Sequence, residues 1–400
     1  MAEVGLYARD GVNLFDRIGA DDYEQVVYCH DRPTGLRAIV AVHSTRLGPA
    51  LGGTRFYPYD SEDDALSDVL RLAKGMTYKS AAAGLDLGGG KAVILGDPAT
   101  ARSEALIRAY GRFVEAIGGR YITAEDVGTT QADMDLIRRE TRHVTGVSRS
   151  LGGSGDPSAA TAYGVLHAMK AVGRRLWGTT DLEGRHVSVA GVGKVGSNLV
   201  RHLIEERARV TVADVDARAV DRVTAGFGVE SVAVVKIHAL ECDIHSPCAL
   251  GASLDAVTIP ELHCAAVVGS ANNQLAGPEC ARLMEQVGVL YAPDFVVNAG
   301  GVINIAEELV GYHRERAYAA VRRIFDTTTR VFEIAARDGI LPVEAAGAWR
   351  SSASPTSAGS VGSARSRGRG KPWHRSQTTT TSRRCTCTTV TPSSGSPTTI

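Results

Sequence analysis

Three residues have types and surroundings suited to acid–base work on a small charged substrate. Lys79 and Lys91 stand twelve positions apart in RLAKGMTYKSAAAGLDLGGGKAVI (71–94), a stretch otherwise rich in glycine and alanine. An ammonium set among such residues loses solvation, which lowers its pKa, and a second cation nearby lowers it further. One lysine could then exchange protons or steady an oxyanion near neutral pH, and the other could bind a carboxylate. The glycines before Lys91 are expected to leave room for a substrate, with Lys91 at the mouth of a strand. From this stretch alone, two ordinary surface lysines would read equally well. Asp126, in TAEDVGTT (123–130), could exchange protons with an amine. A cap or turn is the commoner use of such an aspartate, and Glu125 is the alternative carboxylate, facing the other way if the segment is extended.

A second constellation lies in HVSVAGVGKVGSNLV (186–200), where Gly191, Gly193 and Gly196 form G-x-G-x-x-G. Glycine is common in this chain, so the motif matters only in context: an apolar strand pattern precedes it and a helical pattern follows. There the glycines make the tight turn, admit a pyrophosphate to the backbone and let helix pack on strand. Gly191, Val192, Gly193, Lys194, Val195, Gly196 and Ser197 would then surround phosphates at a helix N-terminus. The next strand pattern ends in Asp214, 23 residues after Gly191. An acid there would bond ribose hydroxyls and repel a 2′-phosphate, which favours NAD over NADP. A glycine turn without a ligand is the plainer alternative. In VVGSANNQL (267–275), Asn272 and Asn273 suit a strand-end crevice, or simply a turn.

The elements that would position these groups follow from pattern. YEQVVYCH (23–30) and LRAIVAVHS (36–44) read as strands, and Ser61 opens an amphipathic helix with acids in its first turn. AVIL after Lys91 reads as a short strand, 104–117 as a helix, and Tyr121 as the start of another strand. After the loop SRSLGGSGDPS (148–158), a helix over 161–177 leads into alternating strands and helices, with short apolar runs at 265–268 and 289–297. That alternation signals a doubly wound sheet. One long helical stretch is expected over 302–336. The fold class is therefore α/β: an N-terminal α/β substrate domain plus a Rossmann-type doubly wound dinucleotide-binding domain. The expected boundaries are 1–148 for the substrate and oligomerisation domain, 149–320 for the nucleotide domain and 321–347 for a helical segment returning to the first.

The chain's 400 residues suit two domains, and 44 basic against 44 acidic residues give no overall reason to expect nucleic acid or an anionic membrane. Seven scattered cysteines without metal-ligand spacing fit a reduced cytoplasmic protein with no metal. No apolar run approaches a membrane span, and the N-terminus lacks a signal-peptide core.

The segment 47–98 (LGPALGGTRFYPYD…LGDP) resembles the substrate domain of the amino acid dehydrogenases for glutamate, leucine, phenylalanine and valine. ITAEDVGTT, SGDPSAATAYGV, GVGKVGSNL, PCALGASL, GSANNQLA and APDFVVNAGGVINIAEEL continue the likeness in order, over roughly 20–345. The wording is nearest the leucine and valine branch. The resemblance implies that Lys79 binds the substrate α-carboxylate and that Lys91 activates water and stabilises the carbinolamine oxygen. It implies that Asp126 shuttles protons to the amino group and that Thr161 and Asn272 lie beside the cofactor. The backbone around Gly52 and Gly53 would line the substrate pocket, with Asn298 near the cleft. The implied protein is an NAD-dependent, homo-oligomeric enzyme converting a branched-chain L-amino acid to 2-oxo acid, ammonium and NADH. The same chemistry on phenylalanine or glutamate is the near alternative. A non-catalytic NAD-binding regulator is the distant one, and the joint presence of Lys79, Lys91 and Asp126 argues against it.

The resemblance stops near 346–347. Residues 351–400 hold 23 Ser and Thr, seven Lys and Arg, and no acid, Leu, Phe or Met, leaving 1–350 with a net charge of −7. Such a segment cannot bury a core, so 348–400 is expected to be disordered. It reads either as a basic tail for an anionic partner such as nucleic acid or, the favoured reading, as the product of a reading-frame error.

Overall fold

The computed structural model describes residues 14–249 and 251–352, with side chains through 347. The expectation for the Ser/Thr-rich tail falls, beyond residue 352, outside the described residues. Two sheets organise the chain. The first joins β1 (Gln25–Asp31), β2 (Leu36–Ser44), β3 (Ala50–Tyr57), β4 (Gly88–Leu95) and β5 (Tyr121–Glu125) in the order β1-β2-β4-β3-β5. β2 runs antiparallel to both β1 and β4, whereas β3 is parallel to β4 and β5. Strand β3 escapes the sequence pattern because two glycines interrupt its apolar run.

Helix α1 (Glu62–Ala82) covers one face of this sheet. Ser61 caps it, its hydroxyl accepting from the Asp64 amide at 3.1 Å, and three acids occupy the positive end of the helix dipole. Ala65, Leu66, Val69, Leu70 and Ala73 recur at helical spacing and meet Ile39, Ala41 and Val93 of the sheet. Helices α2 (Glu104–Ala116) and α3 (Gln131–Arg138) lie on the opposite face, where Ile107, Tyr110, Val114, Met134 and Ile137 bury against Val40, Phe56 and Ile94. Both faces are covered, which explains why β2 and β4 are apolar nearly throughout.

Helix α4 (Ser158–Trp177) leads to the second sheet, wholly parallel in the order β11-β10-β9-β6-β7-β8. Its strands are β6 (His186–Ala190), β7 (Arg209–Ala213), β8 (Glu230–Ser231), β9 (Ile244–Pro247), β10 (Ala266–Val267) and β11 (Leu290–Tyr291). The chain reverses direction of growth between β7–β8 on one side of β6 and β9–β11 on the other, a switch point of the kind that opens a ligand crevice. Helices α5 (Lys194–Glu205) and α6 (Ala217–Phe227) follow β6 and β7.

The long helix expected over 302–336 is instead three. α7 (Gly300–Ala306) runs into a 3-10 turn that ends at Gly311, and α8 (Arg314–Arg322) and α9 (Ile324–Asp338) follow. Gly311 has φ 85°, a left-handed conformation that breaks a helix and suits glycine. α10 (Pro342–Ser352) closes the described chain, so helix continues past the expected boundary at 347. Val331, Ile334 and Ala335 of α9 and Ala345 and Ala346 of α10 pack with Ala82, at the end of α1.

Candidate active site

Lys91 lies inside β4 rather than at its mouth, with all three preceding glycines already in the strand. It is 4% exposed. Alternation along β4 puts Lys91, Gly89 and Val93 on the face that α1 covers. The glycines do not clear space for a substrate, contrary to expectation. A Cβ on Gly88 would meet the Ser44 carbonyl oxygen at 1.9 Å, one on Gly89 the Thr77 amide nitrogen at 2.0 Å, and one on Gly90 the Tyr121 ring at 2.7 Å. Their space is taken by protein. The missing side chains let α1 settle onto β4, and Ser80 Oγ donates across that contact to the Gly88 carbonyl at 3.3 Å. Lys79, the residue before Ser80 on α1, lies near enough to Lys91 for the two charges to interact.

Asp126 follows β5 and is the group to which Lys91 donates, through Oδ2. Its Oδ1 accepts from the Val127 amide at 2.7 Å and from Arg55 Nε at 3.3 Å. Burial alone would raise this carboxyl's pKa, but Lys91 and Arg55 outweigh it and hold the group down to about 2. Glu125, the alternative carboxylate, has its pKa raised by burial and has no such cation pair. Gly53 lies against Asp126, since a Cβ there would come within 2.9 Å of the Asp126 Cβ. Gly52 is buried beneath the Gly90 carbonyl, 1.7 Å from where its Cβ would stand, and its own carbonyl accepts from Tyr121 at 2.6 Å.

Lys79 is partly exposed along its length, while its ammonium sits deep among protein groups. Desolvation pulls its pKa down to about 8, with Lys91 acting the same way and Asp294 and Asp126 opposing. Lys79 is thus a desolvated ammonium without a carboxylate in contact among the described residues, and Lys91 is held in an ion pair with Asp126. Lys79 Nζ donates to Asn272 Oδ1 at 3.3 Å, and that oxygen also accepts from Asn298 Nδ2 at 2.9 Å. Asn272, assigned to the cofactor by resemblance, therefore meets the lysine of the other sheet's helix. Asn273 has φ 51°, so the turn reading of this pair holds too. Asn298 is 3% exposed and its Oδ1 has no hydrogen-bond partner, which leaves a buried acceptor at the cleft.

The glycine loop between β6 and α5 has the geometry its motif requires. Gly191 has φ 103°, and a Cβ on Gly196 would stand 1.9 Å from the Gly191 carbonyl oxygen. Gly193, by contrast, faces open space, with no atom within 4 Å of an added Cβ, and caps α5 without a side-chain bond. Free helix N–H groups beside open space make a cradle for an anion. Asp214 Oδ2 accepts from the Val192 amide at 2.7 Å and thereby ties this loop to the end of β7. Lys194 reaches Asp156 at 3.2 Å, and Ser197 Oγ folds back onto the Gly193 carbonyl at 2.7 Å. Val195 is partly buried against the core of this half. Thr161, on α4, donates to the Pro157 carbonyl at 3.1 Å and packs where α7 brings Gly301 close.

Residues that sequence reasoning did not single out complete the site. Arg55 and Asp68 sit behind Asp126, and Asp294, half-buried and with its pKa raised by desolvation, faces Lys79 from the second half. Arg55 and Asp294 both lie in segments the resemblance covers, but nothing in their spacing separates them from ordinary surface charges.

A nucleotide-type α/β crevice beside two lysines and an ionised aspartate defines an oxidoreductase acting on a CH–NH2 group. Comparison with known proteins agrees. Residues 23–143 match the model for the Glu/Leu/Phe/Val dehydrogenase dimerisation domain, and 152–236 and 216–319 match that for Glutamate/Leucine/Phenylalanine/Valine dehydrogenase. Leucine dehydrogenase of Bacillus cereus is 53% identical over 335 residues, spanning 84% of this chain and 92% of that one. Valine dehydrogenase of Streptomyces virginiae is 53% identical over 331 residues, 81% and 91% of the two chains. The crystal structure of L-tryptophan dehydrogenase from Nostoc punctiforme superposes with a TM-score of 0.75 at 41% identity, covering 84% of this chain and 97% of that one. The chain belongs to the Glu/Leu/Phe/Val dehydrogenase family.

Proposed function

We propose that the chain catalyses the reversible, NAD-dependent oxidative deamination of a branched-chain L-amino acid, valine or leucine. The zwitterionic amino acid, water and NAD⁺ would give the 2-oxo acid, ammonium, NADH and a proton. The observation that carries this reading is the Lys91–Asp126 pair with the Lys79 ammonium on the same side of the sheet, directed at Asn272. The names of the leucine and valine dehydrogenases, at 53% identity, support the substrate class.

Each group has a role its chemistry suits. Lys79 pairs with the substrate α-carboxylate; with a pKa of about 8 it is mostly charged at neutral pH. Asp126, ionised through the same range, accepts a proton from the substrate ammonium. Lys91, beside it, stabilises the oxygen that forms when water adds at Cα, and passes protons between that oxygen and Asp126. When bound, NAD supplies the hydride acceptor. The Gly191–Ser197 loop would hold its pyrophosphate and Asp214 its adenosine ribose, a carboxylate there disfavouring a 2′-phosphate. Gly52 and Gly53 belong to this site as the close-packed floor beneath Asp126, and Asn298 offers its unpartnered oxygen to a bound ligand. Thr161 remains a cofactor-side candidate.

The assignment extends to organisation. Residues 1–148 form the substrate and oligomerisation domain, 149–320 the nucleotide domain and 321–347 the helical return. Homo-oligomerisation is supported by the dimerisation-domain match over 23–143. A cytoplasmic setting is supported by the free state of all five described cysteines. No described helix is long and apolar enough to cross a membrane.

The test is NADH formation with NAD⁺ or NADP⁺ against valine, leucine, isoleucine, phenylalanine and glutamate, with Lys91→Ala in parallel. Turnover with NAD⁺ on the branched substrates, abolished in the variant, is expected. Turnover that survives Lys91→Ala would overturn the site assignment, and preference for phenylalanine or glutamate would overturn the substrate.

A further inference from the structure

Asp126 is gripped from behind. Arg55, on β3, donates through Nε to Asp126 Oδ1 at 3.3 Å and through a terminal nitrogen to Asp68 Oδ2 at 2.7 Å. Asp68, on α1, is itself fixed by Tyr59, whose hydroxyl donates to Oδ2 at 2.7 Å, and by Arg71, which donates to Oδ1 at 2.8 Å. The side chains of Arg55, Asp68 and Asp126 are 23%, 15% and 19% exposed, so water screens these pairs only partly. The two oxygens of Asp126 are therefore inequivalent. Oδ1 is tied by the Val127 amide and Arg55, whereas among the described residues Oδ2 accepts only from Lys91.

We propose that Arg55, anchored by Asp68, is a positioning residue that locks Asp126 with Oδ2 as its working oxygen and keeps the carboxylate ionised for each turnover. This rests on Asp126 being the proton carrier. A guanidinium can do this because its planar fork reaches the two carboxylates through different nitrogens, whereas the three N–H groups of a lysine all radiate from one. The groups that face Asp126 are Lys91 on β4, Arg55 on β3, Lys79 on α1, and Glu125 and Tyr121 on β5. Without Arg55, only Lys91 and the Val127 amide remain in contact against the burial that favours the neutral acid, so protonation of Asp126 moves to higher pH. The carboxylate also gains freedom to turn about its side-chain bonds, and a displacement near 1 Å in a reacting group costs about 10²-fold in rate.

The experiment uses the full chain with Arg55→Gln, Arg55→Lys, Asp68→Asn, the double variant Arg55→Gln/Asp68→Asn, and Asp126→Asn. kcat and KM are followed across pH, with thermal melting of each protein. Arg55→Gln should lower kcat about 10²-fold with little change in KM, and its acid limb should rise to higher pH. Arg55→Lys should recover only part of the loss. Asp68→Asn should cost about tenfold alone and nothing further in the Arg55→Gln background, since Asp68 acts through Arg55. An Arg55→Gln protein with an unmoved acid limb, or a loss that only tracks its unfolded fraction, would overturn the proposal provided Asp126→Asn is inactive. An active Asp126→Asn would instead sink the reading of Asp126 on which the proposal stands. Full additivity of the two single variants would remove Asp68 from the relay.

Discussion

Gly89→Ala is the sharpest perturbation of the helix–strand contact that assembles the site. The new methyl carbon would stand 2.0 Å from the Thr77 amide nitrogen, 2.2 Å from its hydroxyl and 2.5 Å from its Cα. The amide nitrogen and Cα belong to the α1 backbone, two residues before Lys79, so turning the Thr77 side chain would relieve only the hydroxyl contact. Restoring an ordinary contact of 3.4 Å requires α1 to lift by about 1.4 Å. Overpacking of this kind costs about 1–3 kcal/mol, and at roughly 2–4 °C per kcal/mol the melting temperature should fall by several degrees. The larger effect is catalytic. Lys79 rides on the displaced turn while Lys91 and Asp126 stay on the sheet, and misplacement on the order of 1 Å predicts a loss of about 10²-fold in kcat/KM for the amino acid. Binding of NAD, followed by fluorescence titration, should be unaffected, because the Gly191–Ser197 loop belongs to the other sheet. The competing idea, that glycine gives room to substrate, predicts unchanged melting and a KM that worsens with substrate bulk. That pattern, or parental kinetics and melting together, would refute the reasoning.

Three further outcomes are expected. Gly193→Ala adds a methyl into open space at a backbone φ of −65°, so melting should be unchanged while KM for NAD rises about tenfold, the worth of roughly 1.4 kcal/mol; an unchanged KM would exclude close approach of the pyrophosphate there. Inhibition by a branched carboxylate lacking an amine should be constant below about pH 8 and weaken above it, because the folded-state pKa of Lys79 is lowered to about 8 and its neutral form cannot pair with a carboxylate. The charge of Asp294 favours the Lys79 ammonium, so Asp294→Asn should move that break to lower pH; a break that rises or stays would contradict the electrostatic assignment.

Much of this was legible in sequence where local rules act alone. Ser61 followed by three acids marks a helix start, and the structure begins α1 at Glu62. Strand β2 falls on the expected 36–44 because its apolar run from Ala38 to Val42, with three β-branched residues, is unbroken. The glycine fingerprint was readable because strand, turn and helix are contiguous. Long-range packing decides what was not readable. Three glycines in a row look like emptiness in a string of letters, and only the fold shows Ser44, Thr77 and Tyr121 filling their places. Strands of two residues such as β10 and β11 carry too few positions to show a period. Arg55 resembles any surface arginine until β3, α1 and β5 bring Asp68 and Asp126 to its two sides. The desolvation that lowers the Lys79 pKa, and the opposing charges of Asp294 and Asp126, likewise come from residues far apart in the chain.

The contact of Ala82 with Ala345 and Ala346 has a consequence for the order in which this protein is made. Lys79 lies less than one turn from Ala82, so its seat is finished by residues synthesised almost last among those described. While the ribosome is still adding α9 and α10, the first sheet can close on its own local contacts, but the end of α1 has an open flank. Closing so long a loop carries an entropic cost met only after the partners exist. The nascent chain can therefore set Lys91 and Asp126 early and Lys79 late, and the packing around the end of α1 is complete only as α10 docks.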